Sequence, residues 1–267
     1  MLGFIEWLIE LILNFRMAEK NLEIAMGQRK NSEQGLMQAF NSGQYEQALA
    51  ISSAAMRHGA KLGVFHGSLL MQVGRLIEAE QVISQALPQE TEPRSAALAH
   101  CVLGEVYMFQ RQYDKALAIY NTALRLWPER GGTYRAIAEV GLRRGDDSSI
   151  ALQWASQAVE KEKASQGIAP MTKVMNLALE LTTLAWAVGV SSRNAPAVDR
   201  LVAEADSYCA GIPVSSIAQV HVYSGLAYAA LGNQGKHAQH FEIAARIDPN
   251  GAWGREAQSQ AVGVPVH

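Results

Sequence analysis

Cysteine is nearly absent from this chain: Cys101 and Cys209 are the only two among 267 residues. They belong to segments far apart in sequence, so no disulfide scaffold is expected, and the composition suits a reducing compartment. Excess charge of either sign is missing too. Lys and Arg number 23 against 25 Asp and Glu, a formal net charge of −2, which excludes a protein that grips nucleic acid through bulk positive charge. The basic residues Arg111, Lys115, Arg125, Arg130, Arg135, Arg143 and Arg144 are diluted by Asp114, Glu129, Glu139, Asp146 and Asp147, and they read as a solvated face. No Pro-rich, Ser-rich or single-sign tract divides the chain. The most linker-like stretches are GQRKNSEQ at 27–34 and EKASQGIAP at 162–170, and the tail VGVPVH reads as loose.

Signatures of catalysis are equally scarce. No HExxH, GxxxxGK[ST], GxSxG or CxxC motif occurs. His100 beside Cys101 makes no nucleophile–base pair, because adjacent helical residues point in different directions. His237 and His240 stand three apart near Glu242, but no matching third and fourth ligands accompany them, so no metal is expected. Neither enzymatic activity nor a cofactor is expected.

What the chain does have is periodicity. Hydrophobic residues make up 49% of it, enough for a large core. Residues 97–128 read as two helices and a turn: Leu103, Gly104 and Tyr107 on one face of the first, then Tyr113, Ala116, Tyr120 and Ala123 on the second, with Pro128 as a stop. Residue pairs seven apart mark each second helix along the chain: Ala48/Ala55, Ala79/Ala86, Ala116/Ala123, Ala151/Ala158, Val198/Ala205 and His237/Ala244. Seven apart is two turns on one stripe, where a neighbouring helix approaches closely. Gly43, Gly74, Gly145 and Gly232 punctuate the turns inside pairs.

The pattern resembles the tetratricopeptide repeat family. The likeness is strongest at 97–128 and 231–249, good at 34–91, fair at 132–158 and weak at 171–210. The chain departs from the pattern at Ser52 and Ala155, which stand where Tyr120 and Phe241 supply bulk. It also departs at His237, a place usually held by alanine, and at the insertion SSRNAP. The resemblance implies an all-α fold, a right-handed superhelical solenoid of about six repeats. The approximate units are 30–60, 61–95, 96–130, 132–165, 171–211 and 216–249, preceded by an N-terminal helix over 1–26 and closed by a capping helix and tail at 251–267.

In that family the first helix of each pair lines a concave groove. By register the groove residues here are Met37, Phe40, Val64, Phe65, Met71, Val102, Met108 and Phe109, with the fourth repeat turning polar at Arg135, Glu139 and Arg143. The carboxylate-gripping Lys and Asn set of some relatives is absent, since Lys61 stands alone. A Met- and Phe-rich wall suits an apolar helix or extended peptide segment.

The N-terminal MLGFIEWLIELILNF is the second informative feature. Ten of the fourteen residues from Leu2 to Phe15 are large and apolar, and Glu6, Glu10 and Asn14 form one thin polar stripe. Burying ten such side chains is worth on the order of 15–30 kcal/mol as an upper bound, so the helix is expected to meet protein or lipid. No Lys or Arg precedes Arg16, unlike a signal peptide. The run falls short of the about 20 residues a membrane span needs, and interfacial helices favour a basic face. Protein packing is the favoured fate, with Phe4, Trp7, Leu8, Leu11, Ile12 and Phe15 as anchors. The partner is the chain's own solenoid, a second copy in a homo-oligomer, or another subunit. The reading is a non-catalytic protein–protein interaction scaffold or adaptor of a larger assembly, placed in the cytoplasm, either free there or peripheral at a membrane; the alternative is a chaperone-like holder of a hydrophobic client.

Overall fold

A computed structural model describes residues 29–261. The anchoring positions Phe4, Trp7, Leu8, Leu11, Ile12 and Phe15 and the tail VGVPVH lie outside the described residues. The chain divides into two compact halves, the first ending at Leu126 and the second starting at Trp127.

The N-terminal half contains α1 (Arg29–Asn41), α2 (Tyr45–Arg57), α3 (Gly63–Gln72), α4 (Leu76–Ala86), a 3₁₀ turn (Leu87–Gln89), α5 (Pro93–Phe109) and α6 (Tyr113–Leu126). The C-terminal half contains α7 (Gly131–Arg144), α8 (Ser148–Ala164), α9 (Pro170–Ser192), α10 (Ala195–Ser207), α11 (Val214–Ala230), α12 (Gln234–Ile247) and α13 (Ala252–Ala261). Each helix packs on the next within its half, giving antiparallel pairs stacked side by side. The fold is all-α, a solenoid type of architecture.

Local sequence sets the boundaries. Gly43, Gly74, Gly145 and Gly232 sit at φ between +74° and +83° in the turns inside their pairs, a region open to glycine at little cost. The corresponding turns of the third and fifth pairs use Arg111 at φ +60° and Arg193 at φ +50° instead, where a side chain is strained. Glu92, Asp147, Asn194 and Asn233 cap helix starts by accepting backbone N–H bonds from Ser95, Ser149, Ala197 and Lys236. Helices α6 and α12 stop two residues short of Pro128 and Pro249.

One seam recurs inside the pairs. A Cβ on Gly104 would sit 2.4 Å from Tyr120, one on Gly225 2.7 Å from Phe241, and one on Gly67 2.3 Å from Ile83. A small residue on the first helix therefore accepts a large one on the second. At the same register, five residues from the end of the first helix and seven into the second, the first pair has Leu36 with Ser52. The fourth has Glu139 with Ala155. The residues that depart from the sequence pattern thus come with the opposite exchange of size on the facing helix. Ser52 also reaches α3: its hydroxyl lies 2.8 Å from His66 Nδ1, while it donates to the Leu49 carbonyl of its own helix at 3.0 Å. Ala155 joins Ala138 and Ala187 in a tight seam of α7, α8 and α9.

By length and composition α9 could cross a membrane, but most of it is buried among its neighbours. It is the core helix of the C-terminal half, flanked by α7, α8, α10 and α11.

Candidate functional site

The groove positions read from sequence lie mostly in the interior of the N-terminal half. Phe40, Val64, Phe65, Met71, Val102 and Met108 are buried, while Met37 and Phe109 are half-buried. Phe40 meets Phe65 edge-on at 5.8 Å and Tyr45 at 6.1 Å, so these rings join α1, α2 and α3. The reason is geometric: large apolar side chains on first helices interlock with the first helix of the next pair. Helical spacing alone does not separate such contacts from an open wall.

The residues that meet most densely are polar and belong to the C-terminal half. Arg135, Glu139 and Arg143 stand four apart on one face of α7, aimed at α11 and α13. Arg135 Nη1 donates to Glu139 Oε2 at 3.4 Å and to the Tyr223 hydroxyl at 3.1 Å. That hydroxyl accepts from Gln219 Nε2 at 2.6 Å and donates to Glu139 Oε2. Arg143 Nε donates to Glu139 Oε1 at 2.9 Å, and its two terminal nitrogens grip Glu256 at 2.7 and 3.1 Å. The guanidinium of Arg143 also lies 5.8 Å from the ring centres of Trp186 and Trp253. Tyr223 stacks on Trp186 at 6.0 Å and meets Trp253 edge-on at 5.4 Å.

Two arginines and two glutamates balance in charge there. Burial opposes the charge on Arg143, but the Glu256 and Glu139 carboxylates outweigh it and hold its pKa well above the ordinary value. Burial, then the Glu139 carboxylate, push the Tyr223 phenol up. This arrangement locks α7, α9, α11 and α13 together and presents no activated nucleophile. The polar turn at α7 was legible in sequence; its partners Trp186, Tyr223, Trp253 and Glu256 were not.

A second buried group is Glu180 on α9, fully shielded from solvent. Neither carboxylate oxygen has a hydrogen-bond partner. Burial first, and then the neighbouring Glu162, push its pKa well above the carboxylate range, against Arg135 and Arg130. Glu162 itself accepts from Asn176 Nδ2 at 2.8 Å. A Cβ on Gly131 would sit 2.6 Å from both Glu180 Oε1 and the Ala158 carbonyl, so only glycine lets the start of α7 come this close. One readable signal existed: Glu180 is the only charged residue between Lys173 and Arg193.

A third cluster joins α11 to α12. His221 Nδ1 and His240 Nδ1 lie 2.9 Å apart, and Tyr228 stacks on the His240 ring at 5.4 Å. The pairing differs from the spacing in sequence, since His237 instead puts its Nδ1 3.1 Å from the Gly225 carbonyl.

Two surface clefts complete the description. One of about 560 Å³ lies between the α2–α3 turn and the α4–α5 connection, lined by Met56, Lys61, Leu62, Val82, Gln89 and Glu92 among others. Another of about 510 Å³ lies along α12 and α13, lined by His237, Phe241, Ala245 and Gln258 among others. Among the described residues, no group of three or more His, Cys, Asp or Glu side chains converges as a metal cage.

Compared with known families, the chain matches the tetratricopeptide repeat over residues 97–129. Residues 97–129 form a tetratricopeptide repeat. The tetratricopeptide fold is a protein–protein interaction scaffold, and its members bind peptides or proteins. Among solved structures, the chain is similar to YrrB, a tetratricopeptide repeat protein with an unusual peptide-binding site. Identity is 19% and the TM-score 0.40, covering 78% of this chain and 97% of YrrB. It is also similar to BtubC from P. vanneervenii, at 15% identity and TM-score 0.46 over 90% of this chain and 91% of that one. A tetratricopeptide repeat protein from Parabacteroides merdae matches at 16% identity and TM-score 0.42, over 87% of this chain and 98% of its own. No curated protein matches the chain.

Proposed function

We propose that this protein is a non-catalytic scaffold or adaptor subunit that binds an apolar segment of a partner protein within a larger assembly. One observation carries the reading: the family match over residues 97–129 is embedded in consecutive antiparallel helix pairs of the same design. Repeats of this kind multiply surface without building a reaction centre. The apolar stretch from Leu2 to Phe15 supports a second element, an anchor that ties the scaffold to another subunit or to the cytoplasmic face of a membrane.

The test compares the full chain with a version starting at Met26. Partners are trapped by crosslinking in the native cell, and the purified pair is then reconstituted. A partner segment that binds both versions in the micromolar range or tighter supports the scaffold. Loss of mass in solution, or loss of flotation with liposomes, on removing residues 1–25 supports the anchor. A chain that co-fractionates with no protein, and whose mass and flotation ignore the truncation, overturns both. Phe65→Glu is unsuitable as a groove probe, because Phe65 is fully buried and an unpaired charge there unfolds the half that contains it.

A further inference from the structure

The pair of histidines between α11 and α12 is built like half of a coordination sphere. His221 comes from the first helix and His240 from the second, and their ring centres are 5.1 Å apart at an interplanar angle of 41°. Tyr228, about two turns further along α11, covers a face of the His240 ring at 24° to its plane, which restricts the ring's rotation. His240 is 9% exposed and His221 is half-buried, so the pair is reached from one side. Burial holds both imidazoles neutral, with pKa values lowered to about 4. At His240 the nearby His221 and Lys236 add to that effect. Neutral imidazole is the form that binds metals.

The geometry points to a binding site for a divalent transition-metal ion held by His221 Nδ1 and His240 Nδ1, with Cu²⁺ preferred and Ni²⁺ next. Distance makes the choice. With metal–nitrogen bonds of about 2.0–2.1 Å, two nitrogens at a tetrahedral angle lie about 3.3–3.4 Å apart, whereas two at a right angle lie about 2.8–3.0 Å apart. The observed separation is 2.9 Å. Square and tetragonal ions therefore fit with only a turn of the rings, while Zn²⁺ requires the two helices to part. In the free protein one Nδ1 carries the proton shared across the pair. On binding, that proton leaves Nδ1 and the same ring regains one at Nε2 from solvent, so both rings stay neutral. Water fills the remaining positions, because no further His, Cys, Asp or Glu of the described residues joins the pair. His237 stays outside: its Nδ1 lies by the Gly225 carbonyl and its ring packs on Phe241 at 4.5 Å.

The experiment titrates Cu²⁺ into the full chain at neutral pH, reading stoichiometry by calorimetry and ligands by electron paramagnetic resonance. One strong site per chain with coupling to two imidazole nitrogens is expected. His221→Gln and His240→Gln should each weaken it at least about tenfold, and His237→Gln should leave it unchanged. In the unsubstituted chain, Cu²⁺ should broaden amide signals of α11 and α12 around Tyr228 before any others, a readout independent of whether the variants fold. A spectrum with one nitrogen, broadening centred elsewhere, or equal affinity in His240→Gln would overturn the assignment.

Discussion

The two halves of the chain pack helix pairs of one design with different chemistry. In the N-terminal half Glu105 is the one charged residue buried among the described positions, and shape does most of the work through Phe40, Phe65, Ile83 and Tyr120. In the C-terminal half Arg130, Arg135, Glu139, Glu162, Glu180 and Asp248 are all buried. Apolar seams are tolerant, because a lost contact costs roughly its own burial and cavity. Ion networks are not, because removing one member strands the others in a medium that cannot solvate them. The same repeat thus accommodates a graded core and an all-or-none core.

The sharpest way to break that contrast is Glu139→Leu. It leaves Arg135 and Arg143 without the carboxylate they share, and should destabilise the C-terminal half by about 3–5 kcal/mol, read as a shift of its chemical denaturation midpoint. Adding Arg135→Met, Arg143→Met and Glu256→Gln, so that no charge is left stranded, should recover most of the loss; a quadruple variant as unstable as the single one would mean that shape, not charge, governs this half too.

In the N-terminal half, Gly104→Leu should cost about 1–3 kcal/mol by driving a side chain into Tyr120. Combining it with Tyr120→Ser copies the Leu36/Ser52 arrangement and should return at least half of that cost in a double-mutant cycle. Simple additivity of the two losses would refute the exchange of sizes as the seam's logic.

A smaller effect is expected at Glu180, whose protonated form the fold favours. A carboxyl with a raised native pKa binds more proton folded than unfolded. Its contribution is therefore complete in acid, below the unfolded carboxylate value, and is lost as pH rises towards the raised native one. Glu180→Gln removes that dependence, so the variant should melt a few degrees higher at neutral pH and match the parent in acid. A melting difference that is flat with pH would assign Glu180 a permanent charge. The smallest effect is at Arg111, where φ is +60°. Arg111→Gly relieves left-handed strain and should gain about 0.5 kcal/mol after the entropic cost of glycine, visible as a small rise in melting temperature.

Much of the architecture was readable beforehand because it rests on local rules. The alanine pairs, the glycines at positive φ and the prolines past helix ends act within a few residues of themselves, and α2, α4, α6, α8, α10 and α12 follow from them. What the first helices do was harder to read. Met71 and Phe65 have the spacing expected of a wall and also of a core, and only the position of the neighbouring pair decides between them. Arg143 with Glu256 and His221 with His240 are joined by topology, across 113 and 19 residues, and carry no local mark. His237 and His240 are close in sequence, yet they meet different groups of α11, the Gly225 carbonyl and the His221 ring.

The exchanged seam also bears on how a chain of similar repeats avoids confusing them. Were α1 to settle on α6 while folding, Leu36 would collide with Tyr120; were α5 to settle on α2, Gly104 and Ser52 would leave a hole. First helices that carry the large residue thus reject second helices that carry one too, so that look-alike modules of the two kinds are kept from mispairing.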